Sequence, residues 1–370
     1  MNKIPALDGC RGLAILLVLG HHFFGQYFPF DAGWTGVDLF FVLSGFLITS
    51  ILDNMDWNRS NLLRFYRNRA LRILPLYFLL LSAFFLWVFF AKHSTVLPGL
   101  QYFKEHLPSY FLLTANWPML RNSYPPLPHL NHLWTISIEA QFYLAWPFFV
   151  HLLGKYPSKR IPLLLFSVIM VILFRGFMHS QYHKPTGSEN FFNTFSRLDC
   201  FLLGTMAYYL GRCTKSDQTI LTSGAGLAGL ILGTYWWWNK GFYKETPFME
   251  TTGFSLVAII YAYLIYSTSK SSGNFIGRVM QQQWLTIPGK YSYGIYLFHW
   301  LLFQSFQIPA YRAFAHLKLP AEYHDLAIGV FFTFLSFAAS YLSFHCFEKY
   351  FLSKKLPYIK NGLSPDTYPI

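Results

Sequence analysis

Residues 34–52 read WTGVDLFFVLSGFLITSIL, nineteen positions in which Asp38 is the one ionisable side chain. As a helix rising 1.5 Å per residue, such a stretch is about 28 Å long, close to the roughly 30 Å thickness of bilayer hydrocarbon. Comparable runs recur at 10–28, 73–91, 133–152, 161–178, 191–210, 219–238, 248–268, 291–308 and 324–346. The expected fold is therefore all-α, a polytopic membrane helix bundle of about ten transmembrane helices.

Composition agrees. Of 370 residues, 54% are hydrophobic and 12% charged, about half the charge of a soluble globular domain. That excludes a disordered chain, a disulfide-stapled secreted module and an ordinary cytosolic enzyme. The net charge of +13 raises nucleic acid as a partner, but the basic residues lie between apolar runs, not along one amphipathic face, so no nucleic acid is expected. With the N-terminus in the cytoplasm, nineteen of the 29 Lys and Arg residues fall inside and eight outside. Excess positive charge marks cytoplasmic loops, which puts both termini in the cytoplasm. Residues 1–347 form the expected membrane domain and 348–370 a short basic cytoplasmic tail. The basic stretch 53–72 lies inside, and 92–132 is the longest outside loop.

Cys10, Cys200, Cys213 and Cys346 show no metal-ligand spacing and read as small buried hydrophobes; no metal site is expected. The first apolar run carries Arg11, His21 and His22 just after Asp8, unlike the plain apolar core of a cleavable signal peptide.

An ionisable side chain within a span costs several kcal/mol and is a functional candidate, though a buried pair that fixes helix packing explains it too. Arg11 and His22 are eleven residues apart, which puts them on one helix face within about 20° and about 16 Å apart along the axis. Counting residues down from the outer surface places His22, Asp38, Glu139, Arg197 and Asp199 at one expected level. His132 and Glu139 share a face seven residues apart, as do Ser292, Tyr296 and His299. In GVDLFFVLSGFLI, with Gly36 and Gly45 around an apolar run, Gly45 with Ser44 would let the helix sit close to the first and set Asp38 beside His22; packing alone explains the glycines too. Arg64, Arg67, Arg69 and Arg72 suit either an anchor on anionic lipid or a clamp on a phosphorylated ligand. In the outer loop, His106, Trp117, Tyr124 and His129 suit either a sugar-binding lip or an interfacial aromatic belt.

Six segments in order, IPALDGCRGLAILLVLGHHF, GVDLFFVLSGFLI, RFYRNRALRILPLYFL, HLWTISIEAQFYLAWP, RLDCFLLGTMA and GKYSYGIYLFHW, resemble the motif series of the acyltransferase 3 family of integral-membrane O-acyltransferases. The resemblance runs from about residue 4 to 347. It implies transfer of an acyl group, often acetyl, from acyl-CoA to a hydroxyl of an envelope or secreted carbohydrate in a bacterial membrane. The family's Arg–His pair falls on Arg11 and His22, and the Glu of its fourth-helix motif on Glu139. Ala140 stands where many members have a second Glu, so that carboxylate's contribution is absent. Some members carry an extracellular esterase-like domain after the last helix. The chain stops short of one, which leaves room for a separate extracytoplasmic acyl-relay protein or for none.

On this reading His22 is catalytic, as general base or as acyl carrier, and Asp38 or Glu139 orients its ring. Arg11, Arg67, Arg69 and Arg72 hold the co-substrate acyl-CoA, with acetyl-CoA the expected donor. Arg197 meets the oxyanion with Asp199 behind it, and His132, Tyr296 and His299 border the substrate. The rivals are a proton-coupled transporter, for which the same residue types are typical, and a non-catalytic scaffold.

Overall fold

The structure, a computed structural model, describes residues 5–90, 97–122, 124–126, 128–182, 188–212, 215–270, 274–316 and 320–358. Cys213 lies outside the described residues, as do Lys3, Lys92, Lys184, Lys318 and Lys360, which enter the inside and outside charge counts. Every regular element among the described residues is helical. The main helices are α1 Pro5–Phe24, α2 Gly36–Asn54, α3 Arg59–Phe90, α4 Leu97–Phe111, α5 Trp134–Lys155 and α6 Arg160–Tyr182. They continue with α7 Leu198–Leu210, α8 Lys215–Asn239, α9 Phe254–Lys270, α10 Gln283–Ala315 and α11 Ala321–Ser343.

Among the described residues, seven helical segments are long and apolar enough to cross a membrane: Pro5–Phe24, Phe30–Asn54, Arg59–Val88, Pro128–Lys155, Pro157–Tyr182, Met249–Lys270 and Tyr323–Leu352. The other three expected spans fall on α7, α8 and α10. Helix α7 has 13 residues and is buried along its length from Asp199 onward; it packs on α2, α6 and α9 and has little surface to offer lipid. Helix α10 has 33 residues, ample for a crossing, but its buried Ser292, Tyr296 and His299 make it too polar to qualify by apolarity.

Helix α6 shows how these elements divide lipid from protein. Phe166, Ile169, Leu173 and Phe177 form an exposed stripe, whereas Leu164, Val168, Val171 and Arg175 form a buried one. Both follow the 3.6-residue period, and an exposed apolar face of this size is a membrane face.

The interior is built around α1, which packs most extensively on α10. The two run in the same direction: Gly12 lies against Leu285, and further along His22 lies against His299. No side chain separates the backbones. A Cβ on Gly289 would stand 1.8 Å from the Asp8 carbonyl oxygen, and one on Gly12 would stand 1.8 Å from that of Leu285. Gly36 meets the Ala14 carbonyl of α1, whereas Gly45, expected against α1, meets Phe201 of α7. With Gly204 against Val42, it makes α2–α7 a second small-residue contact.

After α11 the chain stays helical through Leu352, so the expected boundary at 347 falls inside a continuous stretch. Residues beyond it return to α3. Asn68 brackets Leu356, its Nδ2 donating to the carbonyl (2.7 Å) and its Oδ1 accepting from the N–H (2.9 Å), and Arg64 donates to the Pro357 carbonyl (2.9 Å). Cys10 and Cys200 are buried as expected, whereas Cys346 is exposed.

Gly289→Ala must push α1 from α10. Overpacking of this kind costs about 1–3 kcal/mol, and the thermal midpoint of the detergent-purified protein should fall. Gly226→Ala, whose Cβ meets nothing within 4 Å, should leave the midpoint unchanged or raise it.

Candidate active site

Helix α1 carries Arg11 near one end and His22 near the other, and each sits in its own chamber. The His22 ring lies 4.5 Å from that of Trp300, 5.0 Å from His299 and 5.5 Å from His21, centroid to centroid. His132 adds a further imidazole, 5.4 Å from His299. His299 Nδ1 is 2.7 Å from the Tyr296 carbonyl oxygen and His132 Nε2 is 3.1 Å from that of Leu297. A carbonyl only accepts, so these nitrogens carry the protons. His299 Nε2 and His132 Nδ1 are then bare lone pairs, and both are buried with no partner. Among the described residues this cluster forms no group able to hold a metal ion.

The other chamber is lined by Arg11, Arg69, Arg72, Ser44, Glu139 and Tyr143, with Ser292, Tyr293 and Tyr296 from α10. Arg11 donates to Asp8 one turn earlier, at 2.6 Å. Glu139 accepts from Ser44 Oγ at 2.7 Å and from the Tyr143 hydroxyl. Arg69 stacks over the Phe65 and Tyr143 rings, 5.9 and 5.8 Å from their centroids. Arg67 is exposed and is not part of the lining.

The space about the arginine chamber, its open side included, is about 780 Å³, and that about the histidine chamber about 1030 Å³. Val37 and Tyr296 line both, so the chambers adjoin across these two side chains. The Tyr296 hydroxyl is pinned, 2.7 Å from Thr135 Oγ1 and 3.0 Å from the His132 carbonyl.

The charges expected at one level separate into different contacts. Asp38 pairs with Arg197, both completely buried, and Arg197 lies 4.4 Å from the Phe254 ring centroid. Asp199 pairs not with Arg197 but with Arg175, at 2.7 Å. Arg175 also donates to the Ser196 and Thr251 carbonyls and to Ser255. Glu139 belongs to the arginine chamber, and among the described residues no carboxylate hydrogen-bonds or pairs with His22. Glu139 meets Ser44, six residues or about 9 Å along α2 from Asp38, so these charges share neither one contact level nor one azimuth. Val37 lines the chambers, and Asp38, about 100° around the helix, points into the α7 side.

Several residues of the site escape a reading by charge and motif. Ser44, Tyr143 and Tyr293 are hydroxyls, unremarkable in a sequence with 25 tyrosines. Lys244 lines the histidine chamber from the loop after α8 and lies 4.4 Å from the Phe191 ring centroid. Arg175 interrupts an apolar run as plainly as Asp38 does, and that signal was there to use. Of the outer-loop candidates, Tyr124 lines the histidine chamber. His129 packs on Trp87, His106 on Tyr102 and Trp117 on Phe195.

A multi-pass helical domain in which a cationic chamber adjoins an imidazole chamber has the parts of a group-transfer catalyst working within a membrane. The chain belongs to the acyltransferase 3 family, whose acyltransferase-domain model matches residues 4–345. It is similar to a putative peptidoglycan O-acetyltransferase, YrhL, of Bacillus subtilis (strain 168), 30% identical over 319 residues covering 80% of this chain and 48% of the relative. It is also similar to the peptidoglycan O-acetyltransferase OatA of Listeria monocytogenes serovar 1/2a, 28% identical over 312 residues, 80% of this chain and 49% of that one. A putative O-acetyltransferase of Staphylococcus aureus (strain COL), SACOL0978, is 27% identical over 352 residues, 88% of this chain and 56% of the relative. The chain thus spans about half the length of the curated relatives it matches. No solved structure matches it.

Removing one member of a buried ion pair strands the other charge, at a cost of about 3–5 kcal/mol. Arg197→Met should therefore lower the thermal midpoint sharply, and Asp38→Leu in the same chain should recover most of the loss. A single variant that kept its midpoint while losing activity would give the pair a chemical role instead.

Proposed function

We propose that this chain is the membrane domain of an O-acetyltransferase that takes an acetyl group from acetyl-CoA at the arginine chamber and gives it to a carbohydrate hydroxyl, of the peptidoglycan class, in the histidine chamber. The observation that carries this reading is the junction of the two chambers at Val37 and Tyr296. A thioester held by arginines on one side meets, across that junction, a base on the other. The arginine end faces the cytoplasm, where the donor is made, and the histidine end faces the envelope.

Attack on a thioester requires removal of the hydroxyl proton. His22 takes it at one ring nitrogen as the sugar oxygen bonds to the acetyl carbon. The tetrahedral centre then collapses, the C–S bond breaks, and the thiolate leaves with the proton returned by His22. In the interval His22 is a buried imidazolium that needs acceptors for its N–H groups. In triads a carboxylate serves; here the neighbouring lone pairs of His299 Nε2 and His132 Nδ1 suit that task. This arrangement favours general-base action, since the ring 5.0 Å from His22 carries an unpartnered acceptor, His299 Nε2, and its other nitrogen is committed to the Tyr296 carbonyl. Arg197, enclosed and paired, has no access to the oxyanion.

His22→Ala should abolish acetyl transfer from acetyl-CoA to envelope glycans, read by mass spectrometry, with the thermal midpoint retained. His299→Phe keeps a ring but removes the lone pair, and should cost about 10²-fold or more in kcat, the low end of acid–base contributions. Normal acetylation by His22→Ala would overturn the mechanism. Substrate flux without acetyl-CoA would favour a transporter.

A further inference from the structure

We propose that Lys355, carried on the segment after the last helix, is a further ligand for the phosphates of the donor, closing the open end of the arginine chamber from outside the bundle. The inference rests on acyl-CoA being the donor and adds a residue that neither motif nor chamber lining reveals.

The placement follows from α3. Arg64, Asn68 and Arg72 are spaced four residues apart and so lie on one stripe of that helix. The first two grip the backbone of Leu356 and Pro357; the third faces the chamber. Lys355, adjacent to the gripped residues, is thereby brought into the field of Arg72, Arg69 and Arg11. It is half-buried, while its neighbours Lys354 and Leu356 are exposed. Burial first, then these three guanidinium groups, push its ammonium down to about 6.

Asp8 offsets Arg11, and Glu139 and Glu348 lie in the field of Arg72 without pairing with it. Among the described residues Arg69, Arg72 and Lys355 have no ion-pair or side-chain hydrogen-bond partner. The nearby carboxylates are engaged elsewhere: Asp8 with Arg11, Glu139 with Ser44 and Tyr143, and Glu348 with Ser343 at 3.0 Å. With its ammonium pushed this low, Lys355 sheds its proton while the site is empty, and a polyanion that offsets the neighbouring guanidinium charges favours the charged form again. A nucleotide's phosphates supply such charge, and so does an anionic lipid headgroup; position beside the donor chamber favours the nucleotide.

The test uses the full chain reconstituted in phosphatidylcholine vesicles, with acetyl-CoA as the probe and acetyl transfer as the readout. Lys355→Gln should raise KM for acetyl-CoA about tenfold, the order of one charged hydrogen bond, with kcat unchanged, and should flatten the rise of KM with KCl. Lys355→Arg should restore both. An unchanged KM in the Gln variant, a fall in kcat, or equal impairment of the Gln and Arg variants would overturn the assignment. So would a defect that appears only when phosphatidylglycerol is added, which would give the anion to lipid. Failure of the wild-type protein to use acetyl-CoA would refute the donor reading itself.

Discussion

The contact of α1 with α10 governs everything else in this molecule. Two parallel helices touch backbone to backbone because Gly12 and Gly289 leave no atom between them. Such contact locks their relative depth as well as their distance, since a carbonyl seated where a side chain would stand cannot slide by a residue without collision. That lock sets His22 against His299 and Trp300. Farther along the same pair of helices, it puts Arg11 in one chamber with Ser292 and Tyr293. A looser, side-chain-mediated packing would hold the same residues near one another but not in register.

The buried charges divide into two kinds, and the division separates scaffold from site. Asp38 with Arg197 and Asp199 with Arg175 are enclosed pairs, in which each charge offsets the desolvation of the other. They fasten α2, α6, α7 and α9, though Arg197 keeps Nε and Nη1 without a hydrogen-bond partner. Arg69 and Arg72 have no such counter-charge, and the imidazoles present bare lone pairs. A group kept in low dielectric without its natural partner is tolerated where something else supplies that partner part of the time. By this criterion the working surface lies along the face of α1 turned to α10, not among the ion pairs.

Much of this was legible in the sequence. The helical membrane class followed from run length and missing charge. The shared face of Arg11 and His22 followed from eleven steps of 100°. Glu139 and Asp38 show where that reading stops. Residue counting gives depth along the membrane normal, but which neighbour a side chain meets depends on helix azimuth, and azimuth is set by contacts such as Gly45 on Phe201 that no periodicity encodes. The polarity of α10 was legible too, as a stripe of Ser292, Tyr296 and His299. Its meaning, an interior helix lining both chambers, required knowing that α1 shields it.

Tyr296 shows why the two chambers adjoin without merging. Its ring lies at their junction, and its hydroxyl is held between Thr135 and the His132 carbonyl, so the ring is fixed in place by α5 and the turn before it. The same His132 gives its proton to Leu297, the residue after Tyr296. These reciprocal bonds tie the start of α5 to the middle of α10, and they fix a tautomer at the same time as a position. A barrier made this way is rigid where a flexible side chain would leak, and Val37 opposite it is small and apolar. For the transfer proposed above, a junction lined by a pinned aromatic ring and a valine suits a small acyl group.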